Sequence, residues 1–196
     1  MNFLAHLYLS GDDPEVMIGN FIADQVVGKH YDGYSVGIIK GIELHRGIDE
    51  FTDTHPIVER GKVRLRPMYH KYSPVIIDIF YDHFLAANWG DYSDISLSDY
   101  SESCYEIVLA RDAILPAGIR RMMPYMIEYN WLYNYANFEG MERVLAGMAR
   151  RAKFQSKMEL SIHDLKKDYD LYAEEFKEFF PQIMEFAKDK LASNRN

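Results

Sequence analysis

Apolar residues in this chain recur at three- and four-residue intervals almost from end to end, and no stretch alternates with a clean period of two between hairpin turns. That spacing predicts an all-α fold. After the breaker SGDDP, Asp13 as a cap and Pro14 at the first helical position open a helix over EVMIGNFIADQVVG, with Val16, Met17, Phe21 and Val27 on successive turns and an end near Gly28. SVGIIKGIELHRGIDEFTDTHP continues the pattern through Ile38, Ile42, Ile48 and Phe51 until Pro56. SPVIIDIFYDHFLAANW starts with a Ser73 cap and Pro74; it is rich in β-branched residues, but its length and the spacing of Asp78 to Asp82 predict a helix that stops at Gly90. LSDYSESCYEIVLARDAIL, PAGIRRMMPYMIEYNWLYNY, NFEGMERVLAGMARRAKF and IHDLKKDYDLYAEEFKEFFPQIMEFAKDKLA each predict a further helix, giving seven to nine in all at ordinary helix lengths.

With 196 residues, 48% of them hydrophobic, the chain is expected to form a single compact domain spanning residues 1–196, with disorder confined to the tail ASNRN. The tyrosines of YMIEYNWLYNY are expected to pack rather than to line a substrate channel. The apolar first ten residues have no basic segment before them, are interrupted by His6, and stop at Gly11, Asp12 and Asp13, which suits neither an export signal nor a membrane span. A lone Cys104 allows no internal disulfide and no cysteine zinc site, so a cytoplasmic location is expected and any metal must be held by His, Asp or Glu.

A net charge of −8 argues against nucleic acid as a partner. Positive charge is nevertheless concentrated locally, from Arg60 to Lys71 and from Arg143 to Lys167, where an acidic partner or a phosphate could dock.

Four segments place an acid or a histidine in apolar surroundings: Asn2 and His6; Asn20 and Asp24; His45, Asp49 and Asp53 on one helix face; and Asp78, Asp82 and His83. An unpaired buried carboxylate costs several kcal/mol, so such residues need partners, and one divalent ion would compensate all four segments together. Arg46 offers a competing account through a helix-surface pair with Asp49 or Asp53. A mixed imidazole and carboxylate site favours Mn²⁺, Fe²⁺ or Zn²⁺ over calcium, with Mn²⁺ first for a set rich in oxygen and Mg²⁺ a further choice. Such an ion makes hydroxide available and neutralises charge developing on a phosphoryl or carbonyl oxygen. No P-loop, GxGxxG, GxSxG or HExxH motif is present. The residues alone therefore lead to a metal-assisted hydrolase of open substrate.

MNFLAHLYLS, GNFIAD, GIELHRGIDEFTDTHP and DHFLAANW, in that order, resemble the acyl carrier protein phosphodiesterase family, and the resemblance runs over nearly the whole chain. It implies a helical fold related to the HD-domain phosphohydrolases, a divalent metal with Mn²⁺ preferred, and removal of the 4′-phosphopantetheine arm from holo acyl carrier protein. Carried over, it makes His6, Asp24, His45, Asp82 and His83 the expected metal ligands, with Asp49 positioning water or a ligand and Arg46 stabilising the phosphoryl charge. Family members often carry a second histidine two residues after the position of His6, where this chain has Tyr8. Two other readings stay open at this point: an HD-like hydrolase of a small phosphoester or nucleotide, and a non-catalytic helical binding module in which His45, Asp49, Asp82 and His83 form an ion-pair network.

Overall fold

The computed structural model describes residues 1–28 and 31–193. Asn194, Arg195 and Asn196, most of the tail expected to be disordered, lie outside them. Eleven α-helices and no strand are found among the described residues: α1 (Phe3–Tyr8), α2 (Pro14–Ile22), α3 (Val36–Thr54), α4 (Pro56–Tyr69), α5 (Ser73–Ala87), α6 (Leu97–Leu109), α7 (Ala117–Glu128), α8 (Trp131–Asn134), α9 (Phe138–Arg151), α10 (Ser161–Lys167) and α11 (Tyr169–Ser193). The all-α expectation holds. The count exceeds seven to nine because two of the seven named segments are divided and two further helices, α1 and α4, form outside them.

Five of the eleven starts carry a side-chain cap. The Asp13 carboxylate accepts from the Glu15 and Val16 amides ahead of α2, Ser35 caps α3 through the Ile38 amide, and Asn137 caps α9 through Gly140. Pro56 both ends α3 and begins α4, because the extended His55 between them accepts from the Ile57 amide with its ring nitrogen. Ser73 does not cap α5 as expected; it lies inside the first turn and its hydroxyl donates to the His70 carbonyl at 2.9 Å. Nor does Gly90 stop that helix, which ends at Ala87 and passes into a tight turn over Trp89–Asp91.

Three further departures have local causes. α2 stops at Ile22 rather than near Gly28 and tightens into a 3₁₀ turn over Ala23–Gln25; Val27, expected on the buried stripe, is 81% exposed and offers no packing to extend the helix. The predicted PAGIRR…YNY helix is divided by Asn130, whose φ of 39° is left-handed, a conformation that asparagine tolerates. Asp168 likewise separates α10 from α11.

The interior is built on α5 and α11. Ile76, Ile77, Phe80 and Phe84 are fully buried against Phe176, Phe179 and Phe180, and the Phe84 and Phe176 rings lie 5.8 Å apart. α2 lies directly on α3, and two glycines allow it. A Cβ at Gly19 would come within 2.0 Å of the Ile38 carbonyl oxygen, and one at Gly41 within 2.1 Å of the Val16 carbonyl oxygen. This backbone-to-backbone approach sets Asn20, one residue past Gly19, beside His45, one turn past Gly41. No described helix is long and apolar enough to cross a membrane.

Candidate metal centre

Helix α1 carries His6, the end of α2 carries Asn20, the 3₁₀ turn after it carries Asp24, and α3 carries His45 and Asp49. These residues meet. The His6 and His45 rings stack with centroids 4.0 Å apart and 17° between planes. His6 Nε2 lies 3.2 Å from Asp49 Oδ1, and His45 Nε2 lies 3.1 Å from Asp49 Oδ2 and 3.1 Å from Asp24 Oδ1. Both histidines are buried, whereas the Asp24 side chain is 72% exposed, so the cluster opens to solvent on the Asp24 side.

Asn20, fully buried, fixes which ring nitrogens face that opening. Its Nδ2 donates to the His6 carbonyl at 2.7 Å and to Ser10 Oγ at 2.9 Å, which assigns the other amide atom as an acceptor. That acceptor, Oδ1, lies 2.8 Å from His6 Nδ1 and 3.1 Å from His45 Nδ1, and the Asn20 main-chain carbonyl lies 2.8 Å from His45 Nδ1. Oxygen acceptors on the Nδ1 side require Nδ1–H in both rings. Each Nε2 is thereby turned toward the carboxylates.

Burial and the neighbouring His45 charge push His6 down to about 4, so His6 is neutral at pH 7 and presents an Nε2 lone pair to the Asp49 carboxylate. Burial alone would lower His45 too, but hydrogen bonds from its ring to Asp24 and Asp49 outweigh it and hold the imidazolium up to about 9. Burial opposes ionisation of Asp49, yet hydrogen bonding from the His45 imidazolium carries it well below the usual carboxylate range; His45 does the same for Asp24. The donor set fits a divalent cation. Ligand atoms of His6, His45 and Asp49 all lie within 4.8 Å of one another, two imidazole nitrogens and a carboxylate, with Asp24 beside them as a second carboxylate. A neutral histidine lone pair facing a carboxylate also lacks a positive charge between them, which an ion would supply.

The other expected site residues go elsewhere. Asp82 is fully buried, but its two oxygens accept the main-chain N–H groups of Asn2 at 3.1 Å, Leu4 at 2.7 Å and Ala5 at 3.3 Å, so it anchors the start of α1 instead of joining the cluster. Burial pushes it up to about 7 against those three donors. His83 faces the opposite part of the core, its Nδ1 2.8 Å from the Tyr135 carbonyl and its Nε2 3.1 Å from the Tyr169 hydroxyl, leaving no free lone pair. The reason is helical geometry: residues 82 and 83 point about 100° apart around α5, and neither faces α3.

Asp53 pairs with the buried Lys62 at 2.9 Å, and Asp78 with the Met1 ammonium at 2.8 Å. Arg46 forms no ion pair with Asp49 or Asp53. Its guanidinium donates to the Val26 carbonyl at 3.3 Å, to the Gly28 carbonyl and to the Tyr31 hydroxyl at 2.5 Å, and so ties down the segment that follows Asp24. The Tyr8 hydroxyl donates to the Tyr92 carbonyl at 3.0 Å, in an aromatic cluster with Trp89 and Phe180.

A family model described as acyl carrier protein phosphodiesterase matches residues 1–183, a span that holds every residue of the cluster. The chain belongs to the acyl carrier protein phosphodiesterase family. It is 35% identical to the acyl carrier protein phosphodiesterase of Yersinia enterocolitica over 191 residues, covering 97% of this chain and 99% of that protein. It is also 35% identical to that of Photorhabdus laumondii over 196 residues, covering 97% and 96%, and 31% identical to that of Serratia proteamaculans over 191 residues, covering 97% and 99%. No solved structure matches the chain, so the relation to HD-domain phosphohydrolases gains no structural support.

Within this family member, sequence reasoning missed two things. Asn20 stood out as polar in an apolar helix, but its role as a shared acceptor depends on two residues far from it in sequence. Gly19 and Gly41 carried a readable signal, since glycine costs about 1 kcal/mol in a helix interior and so asks for a packing reason.

Proposed function

We propose that this chain is a metal-dependent phosphoric diester hydrolase that cleaves the bond between 4′-phosphopantetheine and the serine of holo acyl carrier protein, releasing the arm and apo carrier protein. The observation that carries the metal is the convergence of two Nε2 atoms and the Asp49 carboxylate, with the solvent-exposed Asp24 carboxylate beside His45. The substrate rests on the family and on relatives of nearly equal length. His6, His45 and Asp49 would hold the ion, with Asp24 on its open side and Mn²⁺ the first choice for such a donor set. Once bound, the ion would make hydroxide available near neutral pH and offset charge on the phosphoryl oxygens.

The chain's own residues do the remaining work. Asn20 holds both rings in one tautomer, so neither must reorient during turnover. Asp49, pinned between the two rings, stays ionised. Asp24 is ionised, reached by solvent and bonded through Oδ1 only, which leaves Oδ2 to orient water or take its proton. Arg46 keeps the Asp24 segment in place. Of the two basic clusters, the first is largely neutralised: Arg60 pairs with Glu178, Lys62 with Asp53, Arg64 with Glu175 and Arg66 with Glu59. The second is freer, with Arg150 and Arg151 making no ion pair among the described residues, and is the better docking surface for an acidic carrier protein. A cytoplasmic location belongs to the same reading and agrees with a buried free thiol at Cys104.

The test follows the mass of holo acyl carrier protein incubated with purified protein and Mn²⁺. Loss of the phosphopantetheine mass with wild type, and its retention with His45→Ala or after chelation, is expected. Retention with fully metal-loaded wild type would overturn the substrate assignment.

A further inference from the structure

A cavity of about 880 Å³ lies between α7, α8, α9 and the start of α1, and the mechanism above makes no use of it. Phe3, Met122, Trp131, Val144 and Met148 line it, together with the polar tips of Asn2 and Asn134. Of the tyrosines expected to pack, Tyr135 is fully buried, but Tyr125 and Tyr129 are 59% and 52% exposed and form part of the cavity wall. Such a lining, mostly apolar with a few fixed polar groups, is that of a small-molecule site, and the volume lies within the range of about 300–1,000 Å³ usual for one.

Two parts of the cavity lining connect to the elements that carry the metal cluster. Phe3 lies three residues before His6 on α1, Asn2 precedes it at the N-cap with its carbonyl accepting from the His6 amide at 3.1 Å, and the Phe3 ring packs on Phe21 of α2 at 5.4 Å. On the other wall, Gly118 lies so close to Gln25 that an added Cβ would meet the Gln25 amide at 2.1 Å, and Gln25 directly follows Asp24. Arg121, Arg150 and Arg151 stand around the cavity with no ion pair among the described residues, giving it a positive field on a chain of net charge −8.

From this placement we propose that the cavity receives the pantetheine arm of the substrate, from the phosphoryl group near Asp24 to the thiol end among Met122, Trp131 and Met148. The assignment rests on the hydrolase reading above. The arm is narrow and flexible, with apolar methyl groups, two amides and a terminal thiol, and it enters as part of an anion. The lining matches it in turn: an apolar wall, the Asn2 amide oxygen as an acceptor, polarisable sulfurs and the aromatic ring for the thiol end, and arginines for the charge. Seating the arm there would fix the scissile phosphorus against the cluster, a gain in orientation that a carrier-protein surface contact alone does not give.

Pantetheine itself, which has no phosphodiester to cleave, is the direct probe. In protein labelled at the methionine methyl carbons, its titration should move the Met122 and Met148 signals saturably and leave Met17, buried in α2, in place. Gly147→Phe should abolish those shifts and raise KM for holo carrier protein by about tenfold. Gly147 lines the cavity, and a Cβ there would meet nothing nearer than 3.8 Å, so the phenyl ring can enter the space without disturbing α9. Val144→Trp is the second filling variant should the first fold poorly. Unmoved Met122 and Met148 signals, or a wild-type KM in a folded filling variant, would overturn the assignment. Failure of wild type to cleave holo carrier protein would instead overturn the hydrolase reading, while the methyl shifts would still decide whether the cavity takes the arm.

Discussion

Two histidine-and-aspartate groups sit on apolar helices of this protein, and only one of them is open to a ligand. On α3, His45 and Asp49 face His6 and Asp24 with their Nε2 and carboxylate atoms turned to a solvent-reached point. On α5, Asp82 and His83 are more deeply buried, but three main-chain N–H groups occupy the aspartate, and a carbonyl and a hydroxyl occupy the histidine. A site is marked by groups whose hydrogen-bonding capacity is directed but unspent, and burial of ionisable residues alone does not distinguish it.

The strongest break of this comparison is Asp82→Ala. It strands three amides at the start of α1, and chemical denaturation should show a loss of about 3–5 kcal/mol, as for removing one partner of a buried charged network. Asp24→Ala, at an exposed carboxylate, should cost under about 1 kcal/mol while removing hydrolysis. A near-equal loss of stability for the two would erase the distinction drawn between them.

Next in size is a pH effect on the metal-free protein. His45 sits near 6.5 when unfolded and is held up to about 9 when folded, so its contribution is fully present below pH 6.5 and is lost as pH rises through 9. Its size is on the order of 3 kcal/mol at most. His6 has the opposite sign: buried neutral, it favours folding above pH 6.5 and costs stability as pH falls toward 4. Denaturation midpoints of wild type should therefore fall between pH 6.5 and 9, and His45→Gln should flatten that slope. A slope unchanged by the substitution would show that other groups govern it.

Asn20→Leu keeps the volume and removes the shared acceptor. Mn²⁺ affinity should fall about 10- to 100-fold, as for other groups that orient metal ligands, with nitrogen chemical shifts reporting a mixture of ring tautomers in the metal-free protein. A single retained tautomer would assign the orientation to packing instead. The smallest effect is expected for His83→Gln, which can still donate to the Tyr135 carbonyl and should change Mn²⁺ affinity by less than about twofold.

Periodicity made most of the fold legible, because helix starts are local events: Asp13-Pro14, Ser35 and His55-Pro56 mark boundaries by side-chain chemistry within three residues. The breaks at Ile22, Asn130 and Asp168 were not legible, since the helical spacing of apolar residues runs on through each of them. The site divided in the same way. The four-residue spacing of His45 to Asp49 put both on one face regardless of the fold, and the structure keeps them together. Asp82 and His83 had equal claims by residue type, but their partners are main-chain groups of α1 and the segment at Tyr135, which no local pattern reveals. Arg46 looked poised for chemistry beside His45; the loop it binds was not readable from α3 alone.

The central claim is that His6, His45 and Asp49 hold one divalent ion and that Asp82 and His83 do not. Elemental analysis of protein stripped with chelator and reloaded with Mn²⁺ tests it most directly. One ion per chain is expected for wild type and for His83→Gln, with the ion lost in His45→Ala and Asp49→Ala. Full loading of a folded Asp49→Ala variant, or loss of the ion in His83→Gln, would contradict the account.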